Sequence, residues 1–129
     1  MQLEFRDDLP FISIALAFRG KSTLIDNVLV DTGSASTILA DHAVEAVDIA
    51  PELDDILYTI RGVGGIETVY TRLVQSLTIG QRPLENVEIE IGGMNYGFSI
   101  NGILGTDVLT RTGAVIDLNR FTIEFANDA

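Results

Sequence analysis

Hydrophobic positions recur along most of the chain with a period of two. In "FISIALAF" (11–18), Ile12, Ile14, Leu16 and Phe18 alternate with other residues, as in a strand that buries one face. "TLIDNVLV" (23–30) instead ends in an unbroken aliphatic run, as expected of a strand covered on both sides. The stretch 56–80, "ILYTIRGVGGIETVYTRLVQSLTIG", has two β-rich arms around a glycine-rich tip and predicts a long hairpin. "RPLENVEIEIGG" alternates Val87, Ile89 and Ile91 with acids, and "AVIDLNRFTIEF" (114–125) predicts two strands around Asn119-Arg120. Helical signals are confined to two short pieces. "LADHAVEAV" (39–47) has Asp41 as a candidate N-cap, and "GTDVLTRTG" (105–113) opens on Thr106 and Asp107 and closes on Gly113. The expectation is an all-β domain with one or two short helices.

The chain has 129 residues, with no repeat, low-complexity tract or Pro/Gly/Ser linker to mark a boundary. It is therefore expected to form one domain, 1–129. Hydrophobic residues make up 47%, yet no apolar run approaches the ~20 residues a bilayer span requires, which predicts a soluble domain. The start, "MQLEFRDDLPFISIALAFRG", sets acids ahead of a short apolar run broken by Ser13, unlike a cleavable signal. No targeting segment is read there, and the compartment is left open. With no cysteine, disulfides and thiolate chemistry are excluded, and the single His42 gives no basis for a His-rich metal site. No metal or cofactor is expected. His42 is read as a surface residue without a role. Nineteen acids against eight basic residues give a formal charge of −11, which disfavours nucleic acid and anionic membrane surfaces as partners.

Against this background "VLVDTGSAST" (28–37) raises a chemical question. Asp31 follows three aliphatic residues, and an acid held against an apolar strand costs free energy unless it has a structural partner or a chemical use. Asp-Thr-Gly alone is a common turn sequence, so Asp31 could simply shape a turn. Two further elements change the weighing: "IRGVGG" (60–65) at the hairpin tip, and "NGILGTDVL" (101–109), where two aliphatic residues and a glycine precede a short helix.

In this order and spacing the three elements resemble the retropepsins, the single-domain aspartic proteases typified by retroviral proteases. The resemblance runs from about Leu24 to Phe125. It implies a closed, sandwich-like acid-protease β-barrel with a flap hairpin and no metal or cofactor. It further implies a homodimeric aspartic endopeptidase acting on polypeptide substrates. Asp31 would be the catalytic carboxylate, with Thr32, Gly33 and Ser34 completing the active-site loop. Thr32 would hydrogen-bond across the dimer, and Gly33 would let the backbone approach substrate. Arg61, Gly62, Val63, Gly64 and Gly65 would form the substrate-binding flap. Ile103, Leu104 and Gly105 would pack behind the loop and wall a pocket. The chemistry agrees: one carboxylate activates water while a second, protonated one polarises the peptide carbonyl, and with one such motif per chain the second Asp31 must come from another copy.

Two positions depart from the viral pattern, Ala35 and Thr106, where viral enzymes generally carry an acid and an arginine that pair near the dimer interface. Both partners are replaced together, so neither is left as an unpaired buried charge. The segment "APELDDILY" (50–58) and the tail "FANDA" have no counterpart in the pattern. The Ser34 hydroxyl has two readings: it satisfies a turn N–H, or it donates to the ionised Asp31 carboxylate, which would favour the charged form and draw the active range toward acid. The alternative function is a retropepsin-like dimerisation or peptide-binding module that cleaves weakly or not at all.

Overall fold

The computed structural model describes residues 1–62, 65–94 and 99–126. Ten strands, one helical turn and one α-helix account for the regular structure among them. β1 (Glu4–Arg6) leads through Asp7 and Asp8, both at positive φ, into β2 (Leu9–Phe18). Arg19 and Gly20, at φ 48° and 82°, turn the chain into β3 (Lys21–Val30), the left-handed pair that matches the twist of a two-residue hairpin. β4 (Ile38–Ala40) follows the 31–37 loop. β5 (Tyr58–Gly62) and β6 (Gly65–Ile79) form the long hairpin, and β7 (Arg82–Gly92) returns along β6. β8 (Gly102–Leu104) precedes α1 (Thr106–Thr112), and β9 (Ala114–Asp117) with β10 (Thr122–Phe125) closes the order.

The main sheet runs β1-β2-β3-β8-β4-β7-β6-β5, and β2 also pairs with β6 through Ala15↔Thr78, Leu16↔Leu77 and Ala17↔Ser76. That extra pairing closes six strands into a barrel, with β1 and β5 attached outside the ring. Closure gives partners to strand edges that would otherwise be open. Inside lie Ile14, Leu16, Val28, Leu39, Leu77, Ile89, Ile91 and Leu104, all at most 1% exposed. A second cluster gathers Phe11, Ile38, Ala40, Val69, Met94 and Ile100, with Leu29, Ile60 and Ile103 packed against it. Leu29 is thus half-buried between buried Val28 and Val30, which explains the unbroken aliphatic run: each face of this strand end serves one cluster. β3 also carries a bulge, because Ile12 faces Val28 while Ile14 faces Ile25, and Asn27 in the extra stretch sits at φ 54°.

The expected helix over 39–47 is not formed. Leu39 and Ala40 belong to β4, where they pair in parallel with Ile91 and Gly92, and only Glu45–Val47 makes a 3-10 turn. Asp41 caps no helix; its carboxylate accepts the His42 N–H. Burial of all three β4 residues overrides the weak helical preference of a short segment. The second helix forms, and Gly113 closes it at φ 65°. Its N-cap is Gly105, so Thr106 and Asp107 lie in the first turn.

The segment 50–58 is fastened to β6 by Arg72, and Arg19 also lies 3.6 Å from Glu52. Arg72 on β6 donates to both carboxylate oxygens of Asp55 (3.0 and 2.7 Å) and to the Ala50 carbonyl (3.0 Å), and lies 2.7 Å from Glu52. Its side chain is only 12% exposed and that of Asp55 14%. The guanidinium also lies over the Tyr70 ring. The hydrogen bonds from Arg72, with the Glu52 N–H second, hold the Asp55 carboxyl below the usual carboxylate range, while burial raises the Tyr70 phenol. A carboxyl lowered in the folded state stabilises the fold above its unfolded value, and that contribution disappears as pH falls through the folded value. The stability difference between the protein and its Asp55→Asn variant should therefore be full near neutral pH and shrink below about pH 4. Denaturant titrations between pH 2 and 7 check this; a difference independent of pH contradicts it.

Candidate active site

The site begins where β3 ends. Val28, Leu29 and Val30 pair in parallel with Gly102, Ile103 and Leu104 of β8, and the ladder continues one step further as the Asp31 N–H donates to the Leu104 carbonyl at 3.0 Å. On its other side β8 pairs with β4, Ile38 opposite Ile103 and Leu39 opposite Gly102. Residues 31–37 must therefore cross from one neighbour of β8 to the other, over the point where β8 ends. What lies beneath that crossing is Gly105.

The backbones approach so closely there that a Cβ on Gly105 would lie 2.4 Å from the Ser36 carbonyl oxygen and 3.0 Å from that of Ser34. The glycine is required by contact rather than by its φ of −92°. The next residue secures the same carbonyl: Thr106 donates to the Ser34 oxygen through its N–H (2.8 Å) and its hydroxyl (3.2 Å). Thus Thr106, at one of the two positions that depart from the viral pattern, ties the loop to the helix. Ala35, at the other, is exposed.

Thr37 completes the clamp and is wholly buried. Its N–H and Oγ1–H donate to the two oxygens of Asp107 at 3.1 and 2.8 Å, and Oγ1 accepts the Gly105 N–H at 3.0 Å. Asp107 also accepts the Val108 N–H at 2.7 Å, so an acid in the first turn of α1 fastens the far end of the loop. Neither residue stood out as functional in the sequence. Asp107 was visible only as a helix-start signal, and nothing near Thr37 pointed to a partner 70 positions away.

Within the loop, Asp31 is half-buried, and its Oδ1 accepts the Gly33 N–H at 2.9 Å while the Ser34 N–H donates to the Asp31 carbonyl at 3.2 Å. This tight turn fixes the carboxylate relative to the barrel. Thr32 and Gly33 are exposed. The reading that places the Ser34 hydroxyl on Asp31 is not met: Oγ donates to the Ser36 carbonyl at 2.8 Å. A hydroxyl has one proton to give, and here it braces the loop. Leu104 is fully buried in the main core, and Ile103 is half-buried against the second cluster. In the hairpin, Arg61 pairs with Ile66 and Gly62 with Gly65, while Val63 and Gly64 lie outside the described residues. His42 is exposed, its ring 3.0 Å from the Asn101 side-chain oxygen. Among the described residues no cluster of three or more His, Asp or Glu side chains is placed to hold a metal ion, and no helix is long and apolar enough to cross a membrane.

A closed β-barrel with an Asp-Thr-Gly loop laid over a glycine and a short helix is the retropepsin-like aspartic protease fold. Solved structures share it, among them the two that follow. EIAV protease, in complex with the inhibitor HBY-793, superposes with a TM-score of 0.62 at 19% identity, covering 89% of this chain and 98% of that one. A retropepsin-like aspartic protease from Rickettsia conorii gives a TM-score of 0.60 at 20% identity, covering 90% and 82%. The family model described as "gag-polyprotein putative aspartyl protease" matches residues 18–111, and the chain belongs to that family. No curated protein matches it.

The clamp predicts a contrast between two substitutions. Thr37→Val keeps the shape but strands the buried Gly105 N–H and leaves Asp107 Oδ1 with the Val108 N–H alone, which should cost about 1–3 kcal/mol, whereas Thr37→Ser, which keeps the hydroxyl, should lose less than half of that. Chemical denaturation of both variants checks this, and equal losses would remove the hydrogen bonds from the account.

Proposed function

We propose that the chain is a homodimeric aspartic endopeptidase in which water is activated between two Asp31 carboxylates, one from each subunit. The observation that carries the reading is the placement of Asp31: half-buried at the end of a barrel strand, on a loop fixed at both ends, with Oδ1 bound by a backbone N–H and, among the described residues, no hydrogen-bond partner on the other oxygen. One carboxylate cannot both take a proton from water and give one to the peptide carbonyl, so a two-fold axis near Asp31 is required. Two carboxyls brought together share one proton, because both cannot ionise at that separation. The shared proton polarises the carbonyl, and the ionised partner draws the proton from the attacking water.

In this reading exposed Thr32 hydrogen-bonds to the partner loop, and Gly33 leaves room for substrate. Residues 61–65 form the flap over an extended peptide, with Ile103, Leu104 and Gly105 supporting the pocket wall. The terminal strands offer a place for the second copy. The Met1–Leu3 segment bonds to 121–123 at one side of β10, β9 covers the other, and the outer edge of β9 pairs with no strand among the described residues. Val115 and Leu118 beside that edge are exposed.

Asp31→Asn is nearly isosteric and should abolish peptide cleavage while leaving the thermal midpoint within a few degrees of the parent. Specific activity of the parent should also fall on dilution as dimers separate. A variant retaining more than a few per cent of activity, or a monomer fully active in sedimentation-matched assays, overturns the proposal.

A further inference from the structure

A groove of about 620 Å³ opens beside the loop. Ser36 and Thr37 form one wall, the β5 residues Tyr58–Ile60 that lead to the hairpin tip form another, and β7 and α1 close it. The groove thus borders both the loop that carries Asp31 and the hairpin that the peptidase reading lays over a bound peptide. Four charged side chains line it: Glu88, Glu90, Asp107 and Arg111. Asp107 is already engaged by Thr37 and the Val108 N–H, and Arg111 donates to the Glu85 carbonyl at 3.2 Å. Glu88 is exposed to water.

Glu90 differs from the others. Its Oε1 is buried and has no hydrogen-bond partner among the described residues, a costly arrangement for a carboxylate oxygen that the half-buried side chain relieves by turning toward a donor bound in the groove it lines. The chemistry that fits is a cation on a flexible apolar stem. An ammonium or guanidinium brings donors without acceptors, and its methylenes can lie along Ile60 and Val108, which line the same groove. The formal charge of −11 adds a field that gathers cationic peptides.

We propose that this groove is a specificity subsite for a lysine or arginine side chain of the substrate, with Glu90 as its charge partner. The inference rests on the peptidase reading above. The test profiles cleavage of peptide sets differing only by lysine, norleucine or glutamate at each position, by the parent, Glu90→Gln and Glu90→Lys. The parent should prefer lysine at one fixed position. Glu90→Gln should lower the lysine-to-norleucine ratio of kcat/KM about tenfold, the scale of one charge-assisted hydrogen bond, and Glu90→Lys should turn the preference toward glutamate. Cleavage without a basic preference, or a preference untouched by either variant, overturns the proposal.

If the parent cleaves none of the peptides, the peptidase reading fails separately, and binding decides the subsite. The same peptides are titrated by calorimetry against the Asp31→Asn chain with and without Glu90→Gln. Tighter binding of the lysine peptide that is lost with Glu90→Gln supports the subsite; equal binding overturns it.

Discussion

Everything at the candidate site depends on one crowded crossing, where residues 31–37 pass over the end of β8 with Gly105 beneath them. The topology forces it, because β3 and β4 lie on opposite sides of β8 and the chain between them has nowhere else to go. A Cβ at that position would overlap backbone, which has no rotamer through which to escape. Hydrogen bonds then convert proximity into rigidity. Thr106 holds the Ser34 carbonyl, and Thr37 joins Gly105 to Asp107. Asp31 inherits its position from these contacts, since among the described residues its side chain makes a single hydrogen bond, from the Gly33 N–H.

The barrel uses its few cations sparingly. Arg72 gathers Asp55, Glu52 and the Ala50 carbonyl into one knot that attaches an irregular segment to β6. Arg111 leans on a backbone carbonyl at the groove rim. With nineteen acids and eight basic residues, carboxylates necessarily outnumber cationic partners. Most can be left to water at little cost, but the half-buried Glu90 cannot be fully solvated. A surplus that is harmless on the surface acquires chemical meaning where a carboxylate oxygen is withdrawn beside a site.

Much of this was legible in the sequence. The long strands were visible by different signals, β2 and β7 by alternation, β3 by its unbroken aliphatic run and β6 as a β-rich arm beside a glycine-rich tip, and Asp31 and Gly105 because three weak motifs fell in order. What escaped shares a physical cause. β4 and β8 are three residues each, too short to show a period, and exist because neighbouring strands pair with them. The same pairing turned part of an expected helix at 39–47 into strand. Thr37 and Asp107 were hidden because their meaning lies in each other, far apart in the chain. Of the two readings of the Ser34 hydroxyl, the one at Asp31 does not hold, because the turn aims it at the Ser36 carbonyl.

In the proposed peptidase this fold holds half of a catalytic pair. That reading is tested most directly by the distance between the two Asp31 carboxylates in a crystal structure of the dimer grown from active protein. The account predicts nearest oxygens about 3 Å apart, close enough to share a proton, with the two loops related by a two-fold axis. Asp31 residues separated by more than about 10 Å in every assembly of the active protein, too far for a hydrogen bond even through one water, would contradict it.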